Sequence, residues 1–261
     1  MENHPFFTIL TASLNSGSTL RKTLESIRNQ SFHDLEHIVV DGGSSDQTLE
    51  ILKNYQNTYN MTWISEPDKG IADALNKGLK LVMGRYVLVI QADDALLDNH
   101  TIRNVYSTLK TEAFDIIAFP VAWNTSSRAR TVSKPVRVLW WNRFRNIFPH
   151  QGIFVHRTVF DRIGRYNERF SISMDYDFFY RALLSRCTVK FETVPVALIG
   201  RDGISSNEKY WPHRLQEEFS IQDLNEKNPF WRVAQIIFRT LYLPYKTRLL
   251  PKLKCTIFKK R

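Results

Sequence analysis

Cysteine is scarce in this chain: Cys187 and Cys255 are the only two among 261 residues, and they lie far apart with no metal-ligand spacing. A disulfide framework and a cysteine-based metal centre are therefore not expected, and the pattern suits a reducing compartment. No window reaches the roughly 18 consecutive apolar residues that a membrane-spanning helix needs. The start, Met-Glu-Asn-His-Pro-Phe-Phe, lacks a basic stretch leading into an apolar one, so no secretory signal is expected. Internal repeats and low-complexity stretches are missing as well. Apolar residues make up 43% and charged ones 24%, which excludes wholesale disorder, and a chain of this size closes a core without staples. Acidic residues are absent from two segments, 116–160 and 228–261, which carry 7 and 9 basic side chains. Residues 1–115 are net −5 and residues 161–227 net −1, so the overall +10 comes from those two segments.

What is present begins with alternation. Phe6–Ala12, Leu35–Val40, Met61–Ser65 and Arg85–Ile90 are short apolar or β-branched runs and predict strands. Between them, Ser18 to Asn29 (with Ser18 as N-cap), a segment from Ser45 through Leu52, and Ile71 to Val82 carry helical spacing. Strand and helix alternating in this way predict an α/β fold with a mostly parallel central sheet and right-handed crossovers. Ligands of such sheets bind beyond the carboxyl ends of the strands. Ser13, Asn15, Asp41, Glu66 to Lys69 and Asp93-Asp94 all stand at those ends, so they are expected along one edge. Further on, strands are predicted at Phe114–Phe119, Gly152–His156 and Val189–Leu198, and helices at Val159–Ile163 and Asp175–Leu184. Residues 121–149 are basic and aromatic without clear periodicity. A boundary falls at Asn228, giving a domain over 1–227 and a tail over 228–261. Within the domain, residues 1–115 make one part, with regular alternation, and residues 116–227 a second, less regular part.

Asp93 and Asp94 follow a buried strand, where adjacent carboxylates repel unless a cation is near. A hard divalent ion shared with substrate phosphates would relieve this; a helix N-cap pair is the plainer use. Asp41-Gly42-Gly43-Ser44 suits a turn, or a carboxylate facing a base or ribose with glycines allowing close approach. Lys69-Gly70 precedes a helix whose N-terminus would assist it in balancing a diphosphate. Asp73 and Asn76, three apart, are expected on one face of that helix. Asp175 and Asp177 open a helix; either would serve as a cap or as a general base toward a hydroxyl.

Together, ILTASLN at 9–15, EHIVVDGGSSDQT at 36–48, ISEPDKGIADALNKGL at 64–79, GRYVLVIQADD at 84–94 and SMDYDFFYRAL at 173–183 resemble the inverting family-2 glycosyltransferases of GT-A fold. The resemblance covers about residues 5–206 and implies a nucleotide-sugar donor, most simply a UDP-sugar, with Mg2+ or Mn2+. It implies that Ala12, Ser13, Leu14 and Asn15 line the base pocket, that Asp41 with Gly42 binds the base, and that Lys69, Asp73 and Asn76 face ribose and diphosphate. Gln91-Ala92-Asp93 stands at the Asp-x-Asp motif, so Asp93 would ligate the metal beside Ala92 and Asp94. Asp175 matches the catalytic base. His150 and Gln151 match an acceptor-facing segment, and Met174 stands where the family has a glutamate. GRDGISS at 200–206 resembles a loop over the donor, and His213 is a candidate for a late metal ligand. Gln91 and Met174 depart from the family pattern.

The segment Pro229–Leu243, followed by seven further cations among leucines, predicts an amphipathic helical tail that lies on an anionic membrane surface. Docking of that helix on the protein's own core is the competing reading. Nucleic acid is not an expected partner, because no binding motif accompanies the charge. The resulting expectation is an enzyme of surface-polysaccharide assembly, cytoplasmic and peripheral on the inner face of the cell membrane, acting on a polyprenyl-diphosphate-linked saccharide. Two alternatives stand beside it. A sugar-phosphate nucleotidyltransferase would need a basic glycine-rich loop, and LNSGSTL has no basic residue. A non-catalytic membrane-binding protein on a degenerate scaffold would account for Gln91 and Met174.

Overall fold

The computed structural model describes residues 4–111, 113–124, 130–200 and 208–245. Strands β1 (Phe7–Ser13), β2 (Leu35–Asp41), β3 (Met61–Ser65) and β4 (Tyr86–Val89) are separated by helices α1 (Leu20–Arg28), α2 (Thr48–Tyr55) and α3 (Ile71–Gly78). β5 (Ala95–Leu96), α4 (Thr101–Leu109), β6 (Ile116–Ala118), β7 (Val121–Asn124) and β8 (Arg130–Ser133) follow. Then come a 3-10 turn at Leu139–Arg143, β9 (Ile153–His156), α5 (Arg157–Ile163), α6 (Met174–Leu184), β10 (Val189–Phe191), β11 (Ala197–Ile199), α7 (Trp211–Asn225) and α8 (Pro229–Pro244).

The main sheet runs β10-β6-β9-β4-β1-β2-β3. β1, β2, β3 and β4 pair in parallel, as their continuous apolar character predicts, and every residue of β1 and β2 is buried. β9 is antiparallel to both β4 and β6, so the mostly parallel sheet is mixed at that point. A second sheet, β5-β11-β7-β8, was not foreseen. It takes the end of the predicted strand Val189–Leu198, which breaks in two around Pro195; proline cannot donate to a ladder, and the halves join different sheets.

Three local expectations change. Ser18 does not cap α1; the carbonyl of Ser16 receives the N–H groups of Thr19 and Leu20 instead. Helix α3 ends at Gly78 rather than Val82: Leu79 N still reaches Leu75 O, but Lys80 and Leu81 turn back to Lys77 O and Gly78 O in tighter turns, and Gly78 lets the helix lie against Leu10, whose Cδ1 would sit 2.3 Å from a Cβ there. Asp93 and Asp94 cap no helix: Asp98 accepts from His100 N at 2.8 Å just before α4.

Helix α8 is docked on the body, and by its polar stripe. Gln235 is 1% exposed and donates to Arg143 O (2.8 Å) and the Tyr180 hydroxyl (2.9 Å). Arg239 bonds Gln222, Asp223 and the Phe219 carbonyl. Trp231 stacks on Trp140, and Phe238 packs on Phe144. The opposite face carries Phe230 (70% exposed), Val233, Ile236, Ile237 and Leu241 (71% exposed). Among the described residues no helix is long and apolar enough to cross a membrane.

Candidate active site

Parallel pairing in register brings the ends of β1, β2 and β3 level: Ser13 lies opposite Asp41, and Asp41 opposite Ser65. Asp41 is fully buried. One carboxylate oxygen accepts from Gly43 N (3.1 Å), Ser44 N (2.9 Å) and Ser65 Oγ (2.7 Å), and the other from Ser44 Oγ (2.5 Å). A carboxylate offers about four acceptor sites, so Asp41 chiefly organises the loop after β2. Asn15 ties that loop to the one after β1: its N–H donates to Ser44 Oγ at 2.7 Å, and its side-chain oxygen accepts from Ser45 N at 2.9 Å. Its φ of 48° is the left-handed conformation that asparagine tolerates. Ser13 Oγ is buried here without a partner, and Leu14 is exposed. Gly42 leaves room for Asp68, whose Oδ2 would lie 2.3 Å from a Cβ at that position. Asp68 went unnoticed in the sequence as a packing partner of Gly42.

Lys69 is exposed where the edge meets α3, and its N–H donates to Asp73 Oδ2 at 3.0 Å. That bond above all holds the Asp73 carboxyl below its usual range; Lys77, at 3.4 Å, adds to it. Asn76 does not share this face. Its amide is spent on Tyr166 N (3.0 Å), Tyr166 O (2.9 Å) and Glu168 (3.1 Å), so it joins α3 to residues 166–168 rather than facing a donor.

At the end of β4 the roles divide. Ala92 is buried among Leu20, Leu24 and Val39. Asp94 is buried too, accepting from Gly200 N at 2.8 Å and from Gln151 Nε2 at 3.0 Å. Burial first, and the charge of Asp93 second, push its carboxyl above the ordinary range. Asp93 is partly exposed, with Gly200 pressed against it: a Cβ there would come 2.7 Å from Asp93 Oδ2. The rest of the expected donor loop, 201–206, lies outside the described residues.

On the acceptor side the two aspartates stand in different surroundings. Asp177 is fully buried and committed to Arg181 (2.8 Å) and Asn225 (3.0 Å). Asp175, its side chain 20% exposed, accepts from Asn146 Nδ2 at 3.0 Å and lies 3.3 Å from His150 Nδ1. Burial pulls the His150 imidazole down, but Asp175 and the charges of Asp94 and Asp93 outweigh it and leave the ring above its ordinary range. Its Nε2 is buried without a partner. Gln151 on Asp94 and His150 on Asp175 thus connect the end of β4 to the start of α6. Asn146 was missed because nothing in a non-periodic basic segment marks it. Glu217 was missed as well: it accepts from Ser171 N (2.6 Å), Ile172 N (3.0 Å) and Ser173 N (2.8 Å) and so fixes the approach to Asp175.

Two expected residues fall elsewhere. Met174 is buried in the core rather than presented to an acceptor. His213 meets Ser171 Oγ (3.0 Å) and Glu217 (3.2 Å) on α7, not Asp93. Among the described residues no three His, Cys, Asp or Glu side chains converge to hold a metal unaided. Asp93 still fits a divalent ion as a single carboxylate ligand, because such ions are commonly completed by substrate phosphates and water.

Comparison with known proteins agrees with this fold. A sequence profile for "Glycosyl transferase family 2" matches residues 8–166. A "PGL/p-HBAD biosynthesis glycosyltransferase" of Mycobacterium tuberculosis is 32% identical over 208 residues, 78% of this chain and 80% of the relative. Among solved structures, S. aureus TarS 1–349 in complex with UDP-GlcNAc superposes with a TM-score of 0.71 at 20% identity, over 92% of this chain and 73% of that one. A mannosyltransferase from Pyrobaculum calidifontis in complex with GDP-Man and Mn2+ gives 0.66 at 18% identity, over 89% and 68%.

Proposed function

Because the chain belongs to glycosyl transferase family 2, we propose that its sheet edge moves a sugar, with inversion, from a nucleotide-diphosphate donor to a hydroxyl of a lipid-linked saccharide. The observation that carries this reading is the connection from Asp93-Asp94 through Gln151 and His150 to Asp175. It puts a partly exposed carboxylate across from the donor edge. The nucleotide enters over Ser13, Leu14 and Asn15, with Asp41 and Gly42 shaping the pocket floor, and Lys69 and Asp73 border the diphosphate. Asp93 would hold Mg2+ or Mn2+ together with the donor's phosphate oxygens, and the ion supplies positive charge for the departing diphosphate. The acceptor oxygen bonds to the anomeric carbon as the bond from that carbon to the diphosphate breaks. Asp175 takes the hydroxyl proton, oriented by Asn146 and His150.

UDP-GlcNAc in TarS and GDP-Man with Mn2+ in the mannosyltransferase are those proteins' ligands; for this chain a UDP-sugar with Mn2+ or Mg2+ is the first pair to test. The outward apolar face of α8 and the seven cations that follow it in the sequence support peripheral attachment to an anionic membrane, with surface-polysaccharide assembly as the setting. The deciding experiment is a panel of UDP-, GDP- and dTDP-sugars with and without Mn2+, scored by thermal shift and donor hydrolysis. At least one donor should stabilise the protein and be turned over. Asp175→Asn should then lower turnover by about 10²–10⁴-fold with donor binding kept. Near-normal turnover in that variant would remove Asp175 from the role.

A further inference from the structure

Four arginines meet where the turn at Leu139–Arg143 and the residues after it touch α7 and α8. Arg143 pairs with Glu226, Arg214 with Glu218 (2.9 Å) and Arg239 with Asp223 (2.8 Å). Arg145 has no carboxylate partner among the described residues. Its guanidinium donates from one terminal nitrogen to the Tyr242 hydroxyl and lies 4.9 Å above the Tyr242 ring. Its Nε is buried with no hydrogen-bond partner. A buried, charged donor left unmet costs more than a neutral one. It lines a half-open pocket with Trp211, Arg214, Leu215, Glu218 and Tyr242. Among the described residues Glu218 is the one carboxylate lining it, and it is engaged by Arg214, so within this set Arg145 adds a positive charge that no carboxylate meets.

The pocket's place is informative. Tyr242 faces inward from α8, whereas Ile237 and Leu241 on the same helix are exposed and apolar. In the other direction Arg145 is followed directly by Asn146, which holds Asp175. We infer that this pocket binds the phosphate group of an amphiphile, between the exposed apolar face of α8 and the catalytic carboxylate. Phosphate oxygens suit an arginine fork, and the Tyr242 hydroxyl accepts from Arg145 while keeping a proton to donate. The inference rests on the lipid-linked reading above and supplies the element that would recognise the carrier.

Two sources share this chemistry, the acceptor's own phosphate and a phospholipid head group. The test titrates the full chain, with UDP and Mn2+ present to fill the donor edge, with geranyl diphosphate, inorganic pyrophosphate, and vesicles of phosphatidylcholine with or without phosphatidic acid. Geranyl diphosphate, phosphatidic acid vesicles or both should bind, with affinity at least about tenfold lower in Arg145→Gln, the size of one lost charge-assisted hydrogen bond. Arg145→Lys should recover part of the loss, and UDP binding should stay unchanged in both variants, which separates this outcome from misfolding. Dependence on Arg145 for geranyl diphosphate alone assigns the acceptor's phosphate; dependence for vesicles alone assigns the head group. Equal binding by wild type and Arg145→Gln, or no binding of any probe, would overturn the pocket. Pyrophosphate binding as tightly as geranyl diphosphate would overturn the amphiphile. Each readout is independent of turnover, so a failed donor panel leaves it interpretable.

Discussion

Along the donor edge almost every buried polar atom has a protein partner, whereas the acceptor side leaves several without one. Of five buried side-chain atoms with no hydrogen bond among the described residues, only Ser13 Oγ lies on the donor edge. The others are Asn142 Nδ2, Arg145 Nε, His150 Nε2 and Ser173 Oγ, all around Asp175 and the segment that leads to it. Unmet buried donors are expensive, so they persist where a ligand completes them. The difference suggests a donor pocket built before its substrate arrives and an acceptor pocket finished by its substrate. Substitutions should therefore cost folding stability on the first side and activity or binding on the second.

The largest effect expected from this contrast is at Asp41. Asp41→Ala strands two N–H groups and two hydroxyls. Each stranded donor costs about 1–3 kcal/mol unless water reaches it, so urea unfolding should show a loss of at least about 3 kcal/mol. A loss below about 1 kcal/mol would mean the loop after β2 is not held as the hydrogen bonds imply.

Next is α8, where the two faces of one helix can be set against each other. Ile237→Ser with Leu241→Ser removes exposed apolar surface, so stability should hold while affinity for anionic vesicles drops by at least about tenfold. Gln235→Leu should do the reverse, lowering stability by about 1–2 kcal/mol through stranded partners at Arg143 and Tyr180. Deleting the tail from residue 228 is a poor test of membrane binding, because Gln235 and Arg239 belong to the body's packing. Equal vesicle binding by wild type and the double serine variant would show that the apolar face has another purpose.

A smaller effect belongs to Asn146, which donates to Asp175 (3.0 Å) and accepts from the N–H of buried Phe148 (3.0 Å). Asn146→Ala should lower kcat by about tenfold, the value of an oriented hydrogen bond to a charged base, with donor KM nearly unchanged and a stability loss of about 1 kcal/mol from the stranded Phe148 N–H. A change confined to donor KM would place Asn146 on the wrong side of the comparison.

The same division explains what the amino-acid sequence alone made legible. Strands β1, β2 and β4 were readable to within a residue or so, because a parallel strand buried on both faces is an apolar run and its carboxyl end is where the run stops; β3, the half-exposed edge strand, was readable from its short β-branched and aromatic run. Asp41, Lys69 and Asp93 followed from that rule alone. The segment from Val138 to His150 has no period, being held by ion pairs and aromatic contacts from α7 and α8, and so Asn146 was invisible and Arg145 was no more than one cation of a basic stretch. Helix α7 was missed for a related reason: its inner face carries Glu217, Glu218 and Gln222 where a sequence reading expects an apolar stripe. For α8 the amphipathic pattern was legible but the docking face was not: the stripe with Gln235 and Arg239 is buried by partners on α7 and in the Leu139–Arg143 turn.

The subtlest test of the comparison is the response of stability to pH, because each side holds a histidine, His37 buried and His150 half-buried, and the two are shifted in opposite directions. On the donor side His37 lies between Thr11 (2.9 Å) and Tyr59 (2.7 Å), and burial lowers its pKa to about 3. The folded protein keeps this ring neutral while the unfolded chain, with an ordinary value near 6.5, protonates it. Its contribution is therefore intact above about pH 6.5 and declines as pH falls toward 3, by about 1.4 kcal/mol between pH 7.5 and pH 5.5. On the acceptor side His150 is raised, against the effect of burial, by Asp175 and the charges of Asp94 and Asp93. The folded protein binds this proton more tightly than the unfolded chain, so its contribution is full below about 6.5 and is lost as pH rises through the elevated folded value. In wild type the two oppose each other. Urea midpoints at the two pH values should show a shallower acid loss for His37→Gln and a steeper one for His150→Gln. Slopes that move together, or not at all, would mean that the two sides of the site do not differ in how they hold charge.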